Sequence, residues 1–136
     1  MEIDFATESD YEFIQQRDHH VLTDLLMAKI RAHEVYIVRN EEGSNIGWMR
    51  FGYFWDNTPF MNLIWIEEQY RGKGIGQEVV QRWERDMKQK GFKTVMTSTQ
   101  SDEDAQHFYR KLEYRDAGCL LLDTQPLEII LIKDLE

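Results

Sequence analysis

A glycine-rich run at residues 69–76, with the sequence QYRGKGIG, constrains the fold more than any other feature of this chain. It follows the apolar segment FMNLIWI and precedes a segment whose apolar residues are spaced four apart. The first segment is typical of a strand and the second of a helix, so the run predicts a strand-to-helix turn. Glycines let the backbone approach a ligand, and the first N–H groups of a helix attract an anion. The run therefore favours a pyrophosphate cradle, with Arg71 as a fixed cation.

Two common phosphate loops do not fit this spacing. A P-loop requires Ser or Thr after its Gly-Lys pair, whereas Lys73 is followed by Gly74. A dinucleotide fingerprint, G-x-G-x-x-G, would require glycine at the position of Gln77. The pattern that remains is Arg71-x-x-Gly74-x-Gly76. Because glycine-rich turns also occur for steric reasons, a second motif is needed to assign it a function.

The second motif lies at residues 102–112, with the sequence DEDAQHFYRKL. Ala105, Phe108, Tyr109 and Leu112 occur at i, i+3, i+4 and i+7, which places them on one face of a short helix. Core packing accounts for Ala105, Phe108 and Leu112. The phenol of Tyr109 needs either a hydrogen-bond partner or a cleft. Tyr109 is therefore the candidate functional residue of this segment.

The two motifs together resemble the GCN5-related N-acetyltransferase (GNAT) family. Residues 71–76 are similar to its acetyl-CoA signature, Q/R-x-x-G-x-G/A, and residues 102–114 to its N-x-x-A-x-x-F/L-Y-x-K-L-G-F helix. The resemblance implies that Tyr109 and the Ile66 N–H are catalytic, serving the coenzyme A sulfur and the thioester carbonyl. It implies acetyl-CoA as co-substrate and no metal. The implied acetyl-CoA-binding residues are Ile64, Ile66, Arg71, Gly72, Lys73, Gly74, Ile75, Gly76, Asp102 and Tyr109.

Three positions depart from the family pattern. Asp102 replaces the usual asparagine, and Glu113 and Tyr114 replace the Gly-Phe pair. Aspartate still favours a helix N-terminus, so we expect Asp102 to cap the helix while losing an amide donor. Glutamate adopts a positive φ less readily than glycine, so we expect the exit of this helix to be built differently.

The pattern of the whole chain predicts a single domain over residues 1–136 with an α/β fold, a mixed sheet of about seven strands flanked by about four helices. The order β-α-α-β-β-β-α-β-α-β-β is the order that the GNAT resemblance implies. A helical crossover between residues 60–66 and 94–98 predicts two parallel neighbouring strands. The predicted strands are 2–6, 35–39, 46–55, 60–66, 94–98, 114–122 and 127–133. The predicted helices are 9–17, 20–32, a third that ends near Gly91, and the Tyr109 helix.

Composition limits the partners of this chain. A formal charge of −9 argues against nucleic acid and anionic membranes, and it favours a cationic acceptor such as an amine. The acidic N-terminus does not read as a secretory signal, no apolar run reaches ~20 residues, and Cys119 has no second cysteine to pair with. We therefore expect a cytoplasmic protein. A homodimer is possible if the final strand has an exposed edge.

The general base and the acceptor stay open at this point. The candidate bases are Glu67, Glu68, Asp56, His33, His19 and His20. The aromatic residues expected to border the acceptor are Trp48, Tyr53, Phe54, Trp55 and Phe60, of which about half would be core. We expect a small-molecule amine rather than a protein acceptor. The alternative is a non-catalytic acyl-CoA-binding or regulatory module, which the presence of Tyr109 disfavours.

Overall fold

The computed structural model describes residues 1–136 as one seven-stranded mixed sheet with four α-helices. This confirms the predicted fold class. The strands are β1 (Glu2–Phe5), β2 (Val35–Arg39), β3 (Asn45–Phe54), β4 (Thr58–Ile66), β5 (Thr94–Gln100), β6 (Arg115–Leu120) and β7 (Glu128–Asp134). The helices are α1 (Tyr11–Gln15), α2 (Thr23–Arg31), α3 (Ile75–Gln89) and α4 (Ala105–Lys111). None of these helices is both long and apolar enough to cross a lipid bilayer.

The strand order across the sheet is β1-β2-β3-β4-β5-β7-β6. β4 and β5 pair in parallel through Phe60–Met96 and Met61–Thr97, which confirms the predicted crossover through α3. β5 pairs with β7, and β7 with β6, in antiparallel fashion. The final strand, β7, therefore has a neighbour on both sides and cannot offer the free edge that a dimer through it would need. The strands at the two edges of the sheet are β1 and β6.

Internal contacts divide the chain into two compact units. The first comprises Met1–Phe51 and Leu63–Arg82. Its core forms between the α1–α2 segment and one face of the sheet, because the apolar residues of both are buried against each other. Trp48 is central to it, with ring centres 6.0 Å from Phe13 and 4.9 Å from Trp65. The buried members of this core are Ala6, Ile14, Leu26, Ile30, Val35, Ile37 and Trp48.

The second unit comprises Gly52–Asn62 and Trp83–Glu136. It buries apolar side chains of β5 and β7 together with the C-terminal half of α3, which the four-residue spacing of apolar residues had indicated. Its fully buried apolar residues include Trp83, Met87, Val95 and Leu131. A buried carboxylate, Glu84, also lies in this unit.

Three helices begin later than the sequence pattern predicted. α1 begins at Tyr11 rather than at residue 9, because Glu8–Asp10 form a short 3-10 helix before it. α2 begins at Thr23 rather than at residue 20, because the carboxylate of Asp18 accepts the backbone N–H of His20 at 3.1 Å and stabilises a turn before the helix. α4 begins at Ala105, with Asp104 at the N-cap position. Asp102 is exposed in the turn before it. The expectation that Asp102 caps this helix is therefore wrong.

Candidate active site

The C-terminal end of β4 presents backbone groups in alternating directions. The N–H of Glu67 donates to the carbonyl of Ile46, in β3, at 2.8 Å. Successive N–H groups of an extended chain point to opposite edges, so the N–H groups of Ile66 and Ile64 point away from β3. The side chain of Trp65 packs on the core face. The N–H groups of Ile64 and Ile66 are therefore not directed at β3.

Gly47, in β3, lets this part of β4 lie close to its neighbour. A Cβ atom at Gly47 would lie 2.5 Å from the carbonyl oxygen of Trp65 and 2.7 Å from Cδ1 of Ile66. Both distances are too short for real contacts, so any larger residue would displace the end of β4. Sequence reasoning missed this role, although a lone glycine within an apolar strand is a known sign of close backbone approach.

The glycine-rich loop has the geometry of an anion cradle. Gly72 and Gly74 have positive φ values of 75° and 83°, and a Cβ added to either would meet nothing within 4 Å. The first intrahelical hydrogen bond of α3 runs from the N–H of Glu78 to the carbonyl of Gly74 at 3.1 Å. The N–H groups of Ile75, Gly76 and Gln77 precede this bond and are the unpaired donors expected at a helix N-terminus. The loop therefore presents donors of the kind that bind an anion.

Two cations flank this cradle. Nε of Arg71 donates to the carbonyl of Ile66 at 2.7 Å, and its guanidinium carbon lies 6.0 Å from the ring centre of Trp65. Nζ of Lys73 lies 5.6 Å from the ring centre of Tyr70. The side chain of Arg71 is therefore held against the end of β4 by a hydrogen bond and an aromatic face. This places positive charge at the loop in a chain whose formal charge is −9.

Tyr109 is the buried residue within α4, with 5% of its surface exposed. Burial raises the pKa of Tyr109 to about 12, and a hydrogen bond with Thr97 offsets this only in part. Oγ1 of Thr97 donates in turn to the carbonyl of Met61 at 3.0 Å. Tyr109 therefore keeps its proton at neutral pH. Thr97 is a contact that sequence reasoning missed, because it depends on the approach of two segments that are distant in the sequence.

The exit of α4 uses the glycine-type geometry without a glycine. Glu113 has a φ of 74°, its N–H donates to the carbonyl of Arg110 at 3.0 Å, and the N–H of Tyr114 donates to the carbonyl of Tyr109 at 3.1 Å. These two bonds form a Schellman motif, with Glu113 at the position that glycine usually occupies. The expectation of a different helix exit is therefore wrong, because the motif tolerates the strain of a glutamate.

Tyr114 makes a contact that phenylalanine cannot make. Its hydroxyl donates to the buried carboxylate of Glu84 at 2.7 Å, and Nζ of Lys133 donates to the same carboxylate at 3.0 Å. Burial and the nearby charge of Glu84 raise the pKa of Tyr114 well above its ordinary value. The ring of Tyr114 also packs edge-on to Tyr109, with centres 5.7 Å apart. The departure from the family's Phe thus serves to satisfy Glu84.

The residues named from sequence fall in both units. Ile64, Ile66 and residues 71–76 belong to the first unit, which brings Arg71 into contact with Ile66. Asp102 and Tyr109 belong to the second unit. There Tyr109 meets Thr97 and Tyr114, neither of which the sequence had marked as a site residue.

The candidate bases have ordinary surface or structural positions. Glu67 is half-buried and accepts the side-chain amide of Gln69 at 3.2 Å, whereas Glu68, His19 and His20 are exposed. The ring of His33 stacks on Phe5, with centres 4.8 Å apart. Asp56 lies in the turn before β4, at the opposite end of that strand from Ile66.

The aromatic residues expected near an acceptor differ in their exposure to solvent. Trp48 is buried in the core of the first unit, and Tyr53, Phe54 and Phe60 are half-buried. Trp55 is exposed, in the turn before β4. A position in this turn, at the far end of β4 from Ile66, does not support a role for Trp55 in holding the acceptor.

The family model for GNAT acetyltransferases matches residues 3–114. The chain therefore belongs to the acetyltransferase (GNAT) family, as its motifs had indicated, and by class it is an acyltransferase. No curated protein matches the sequence.

Solved structures of this family share the fold over nearly the whole chain. Ard1 from Thermoplasma volcanium matches with a TM-score of 0.85 and 14% identity, over 99% of this chain and 97% of that one. yncA from Salmonella typhimurium, solved with its cofactor acetyl-CoA, matches with a TM-score of 0.81 and 18% identity, over 100% and 94%. An N-acetyltransferase from Staphylococcus aureus Mu50 matches with a TM-score of 0.77 and 22% identity, over 99% and 98%. At sequence identities this low, the similarity to these structures shows a shared fold.

Proposed function

We propose that this protein is an acetyl-CoA-dependent N-acetyltransferase that moves an acetyl group to a primary amine of a small molecule. The amine would attack acetyl-CoA directly in a ternary complex. The observation that carries the proposal is the glycine loop: unpaired helix N–H groups and two cations directly follow a strand whose Ile66 N–H points away from β3. Membership of the GNAT family supports the same reading.

The first unit would hold most of acetyl-CoA. The N–H groups at the start of α3, with Arg71 and Lys73, would bind the pyrophosphate, because helix N-termini and cations both favour negative charge. The backbone of Ile64 and Ile66 would bind the pantetheine arm as an added strand binds a sheet edge. Asp102, as an exposed carboxylate in the turn before α4, offers only acceptor atoms to a bound ligand.

The proposed chemistry forms one C–N bond and breaks one C–S bond. A neutral amine attacks the thioester carbon, and the N–H of Ile66 would donate to the carbonyl oxygen as it gains negative charge. The sulfur then leaves with the bonding electrons, and Tyr109 would donate its proton to it. The excess proton on the nitrogen passes to solvent or to a base. Proton donation of this kind is typically worth about 10²- to 10⁴-fold in rate.

Charge supports the choice of a cationic acceptor. A protein with a formal charge of −9 attracts ammonium compounds and repels nucleic acids, which favours amines as acceptors. A cytoplasmic location is part of the proposal, because the exposed thiol of Cys119 is free and persists in a reducing compartment.

The coenzyme site is tested by adding a side chain to the cradle. Gly74→Glu would place a carboxylate where the pyrophosphate binds, so we expect the affinity for acetyl-CoA, measured by titration calorimetry, to fall at least tenfold. Gly91→Glu is the matched control, because Gly91 also has a positive φ, 96°, with nothing within 4 Å of an added Cβ, and it follows the other end of α3. Equal affinity in both variants would reject the loop as the coenzyme site.

The transfer itself is tested by coenzyme A release with a panel of amines. We expect release with one class of small cationic amines and none with short peptides that present only an α-amino group. Release with the peptides alone would replace the small-molecule acceptor by a protein terminus. Acetyl-CoA binding without release on any amine would favour the non-catalytic module.

A further inference from the structure

The last peptide group of β4, which joins Ile66 to Glu67, is held by a hydrogen bond on each side. Its N–H donates to the carbonyl of Ile46, in β3, at 2.8 Å. Its carbonyl accepts a hydrogen bond from Nε of Arg71 at 2.7 Å. The pairs between β4 and β5 end at Met61, well before this peptide group. The side chain of Arg71 therefore supplies the hydrogen bond that a neighbouring strand would supply on that side of β4.

The preceding peptide group, which joins Trp65 to Ile66, contains the N–H that is the proposed donor to the thioester. Its carbonyl lies against Gly47, where an added Cβ would be 2.5 Å from the carbonyl oxygen. Peptide groups are planar, so only the φ and ψ angles of Ile66 set how these two groups are turned relative to each other. Contacts on both peptide groups fix these two angles, and hence the direction of the Ile66 N–H.

Arg71 can hold the end of β4 and still bind an anion. The bond to Ile66 uses only Nε, and the two terminal nitrogens carry the other N–H donors of the guanidinium. The residue is exposed, and its guanidinium carbon lies 6.0 Å from the ring centre of Trp65. Because a guanidinium is rigid and planar, the Nε bond also restricts the directions of the terminal nitrogens. One side chain thus connects the end of β4 to the glycine-rich loop.

We propose that Arg71 is a positioning residue of the transferase, whose Nε holds the end of β4 so that the Ile66 N–H points at the thioester carbonyl. The inference rests on the proposed function and gives Arg71 a task besides its charge. A donor that is already aligned needs no reorganisation as negative charge develops on the oxygen, and a small displacement of it lowers the rate steeply. Loss of the Nε donor should therefore lower kcat, whereas loss of the charge should weaken the binding of acetyl-CoA.

Two uncharged replacements of Arg71 separate these effects. In Arg71→Gln an amide nitrogen occupies the same place along the side chain as Nε of arginine, whereas in Arg71→Met a methyl group does. Both variants lose the cation, so we expect their affinities for acetyl-CoA, measured by calorimetry, to agree within about threefold. We expect kcat, for the amine that the wild type acetylates best, to be about tenfold lower in Arg71→Met than in Arg71→Gln. Arg85→Met, at an exposed arginine of α3, is the control and should keep both wild-type values.

Amide exchange in the coenzyme-free protein supplies a readout that does not depend on catalysis. The Glu67 N–H belongs to the peptide group whose carbonyl Arg71 holds. We therefore expect NMR to show its exchange about fivefold faster in Arg71→Met than in Arg71→Gln. Equal exchange in the two variants, or equal kcat, overturns the inference. A wild type that binds acetyl-CoA but acetylates no amine rejects the proposed function instead, and the exchange rates then decide alone whether Arg71 holds Ile66.

Discussion

Tyr109 is buried, and its hydroxyl stays protonated at neutral pH. Its pKa of about 12 results mainly from burial, and its hydroxyl bonds with Thr97 rather than with a charged group. A phenol in this state cannot act as a base at neutral pH, but it can donate a hydrogen bond or a proton to a thiolate. The protonation state of Tyr109 therefore allows it to act as a donor only.

Replacement of Tyr109 by phenylalanine should separate catalysis from binding. The variant keeps the ring and loses the donor, so we expect kcat to fall at least tenfold while the affinity for acetyl-CoA stays within about twofold. Steady-state kinetics together with calorimetry measure both. Wild-type kcat should show no loss from ionisation of Tyr109 between pH 7 and 10, because its pKa is about 12. Full activity in Tyr109→Phe would remove this residue from the mechanism.

At the scale of the element, α4 depends on its C-terminal turn. The helix has only seven residues, and its last carbonyls are satisfied by the Schellman motif that places Glu113 at a φ of 74°. A left-handed conformation costs a non-glycine residue about 1 kcal/mol or more. The helix that carries Tyr109 therefore contains local strain at its exit.

Glu113→Gly should relieve this strain. We expect the free energy of unfolding to rise by about 0.5–1 kcal/mol, since the greater freedom of glycine in the unfolded chain offsets part of the gain. Urea unfolding measures the change, and Glu103→Gly, in the turn before α4, gives a comparison without a positive φ. A loss of stability in Glu113→Gly would show that the glutamate side chain makes a favourable contact that outweighs its backbone strain.

At the scale of the whole molecule, buried charges are individually compensated. Asp10 pairs with Arg39 at 2.9 Å, and Lys29 pairs with Glu34 at 3.0 Å. The most buried pair is Asp18 with Arg50, at 2.7 Å, and the indole N–H of Trp48 also contacts this carboxylate at 3.4 Å. A buried charge without a partner is costly, so loss of either member of such a pair should destabilise the protein strongly.

The Asp18–Arg50 pair should make stability depend on pH. Burial raises the pKa of Asp18, but hydrogen bonds from Arg50, from the His20 backbone and from Trp48 outweigh it and hold the pKa below its ordinary value. The stabilisation by this pair is therefore present above pH ~4, the pKa range of an unfolded aspartate, and is lost as the pH falls through the lower folded value. We expect Asp18→Asn to cost about 3 kcal/mol at pH 7, because Arg50 stays buried without its partner.

Urea unfolding between pH 7 and pH 3 measures this effect. The difference in free energy of unfolding between wild type and Asp18→Asn should become smaller as the pH falls below 4, because the wild-type carboxylate then becomes neutral as well. Asp123→Asn, in the exposed turn before β7, is the control and should cost less than about 0.5 kcal/mol. A difference in free energy of unfolding that does not change with pH would mean that the asparagine disturbs packing, and that loss of the ion pair is not the cause.

The amino-acid sequence by itself determined the order of helices and strands, the glycine-rich turn between β4 and α3, and the face of α4 that includes Tyr109. These features are local: periodicity, glycine position and helix spacing all act over a few residues. The same locality explains why the departures at Asp102 and Glu113 were misjudged. Whether a turn precedes α4, and whether a glutamate tolerates a positive φ, depends on how neighbouring segments hold these residues.

Only the tertiary structure decided which strand forms the sheet edge, which groups satisfy Tyr109 and Glu84, and why Gly47 must be small. The residues involved are distant in sequence: Thr97 and Met61 are 36 positions apart, and Lys133 and Glu84 are 49 apart. β7 enters the sheet between β5 and β6, an arrangement that no local pattern encodes. Such pairings arise because long-range packing selects among registers and strand orders that are equivalent for each segment taken alone.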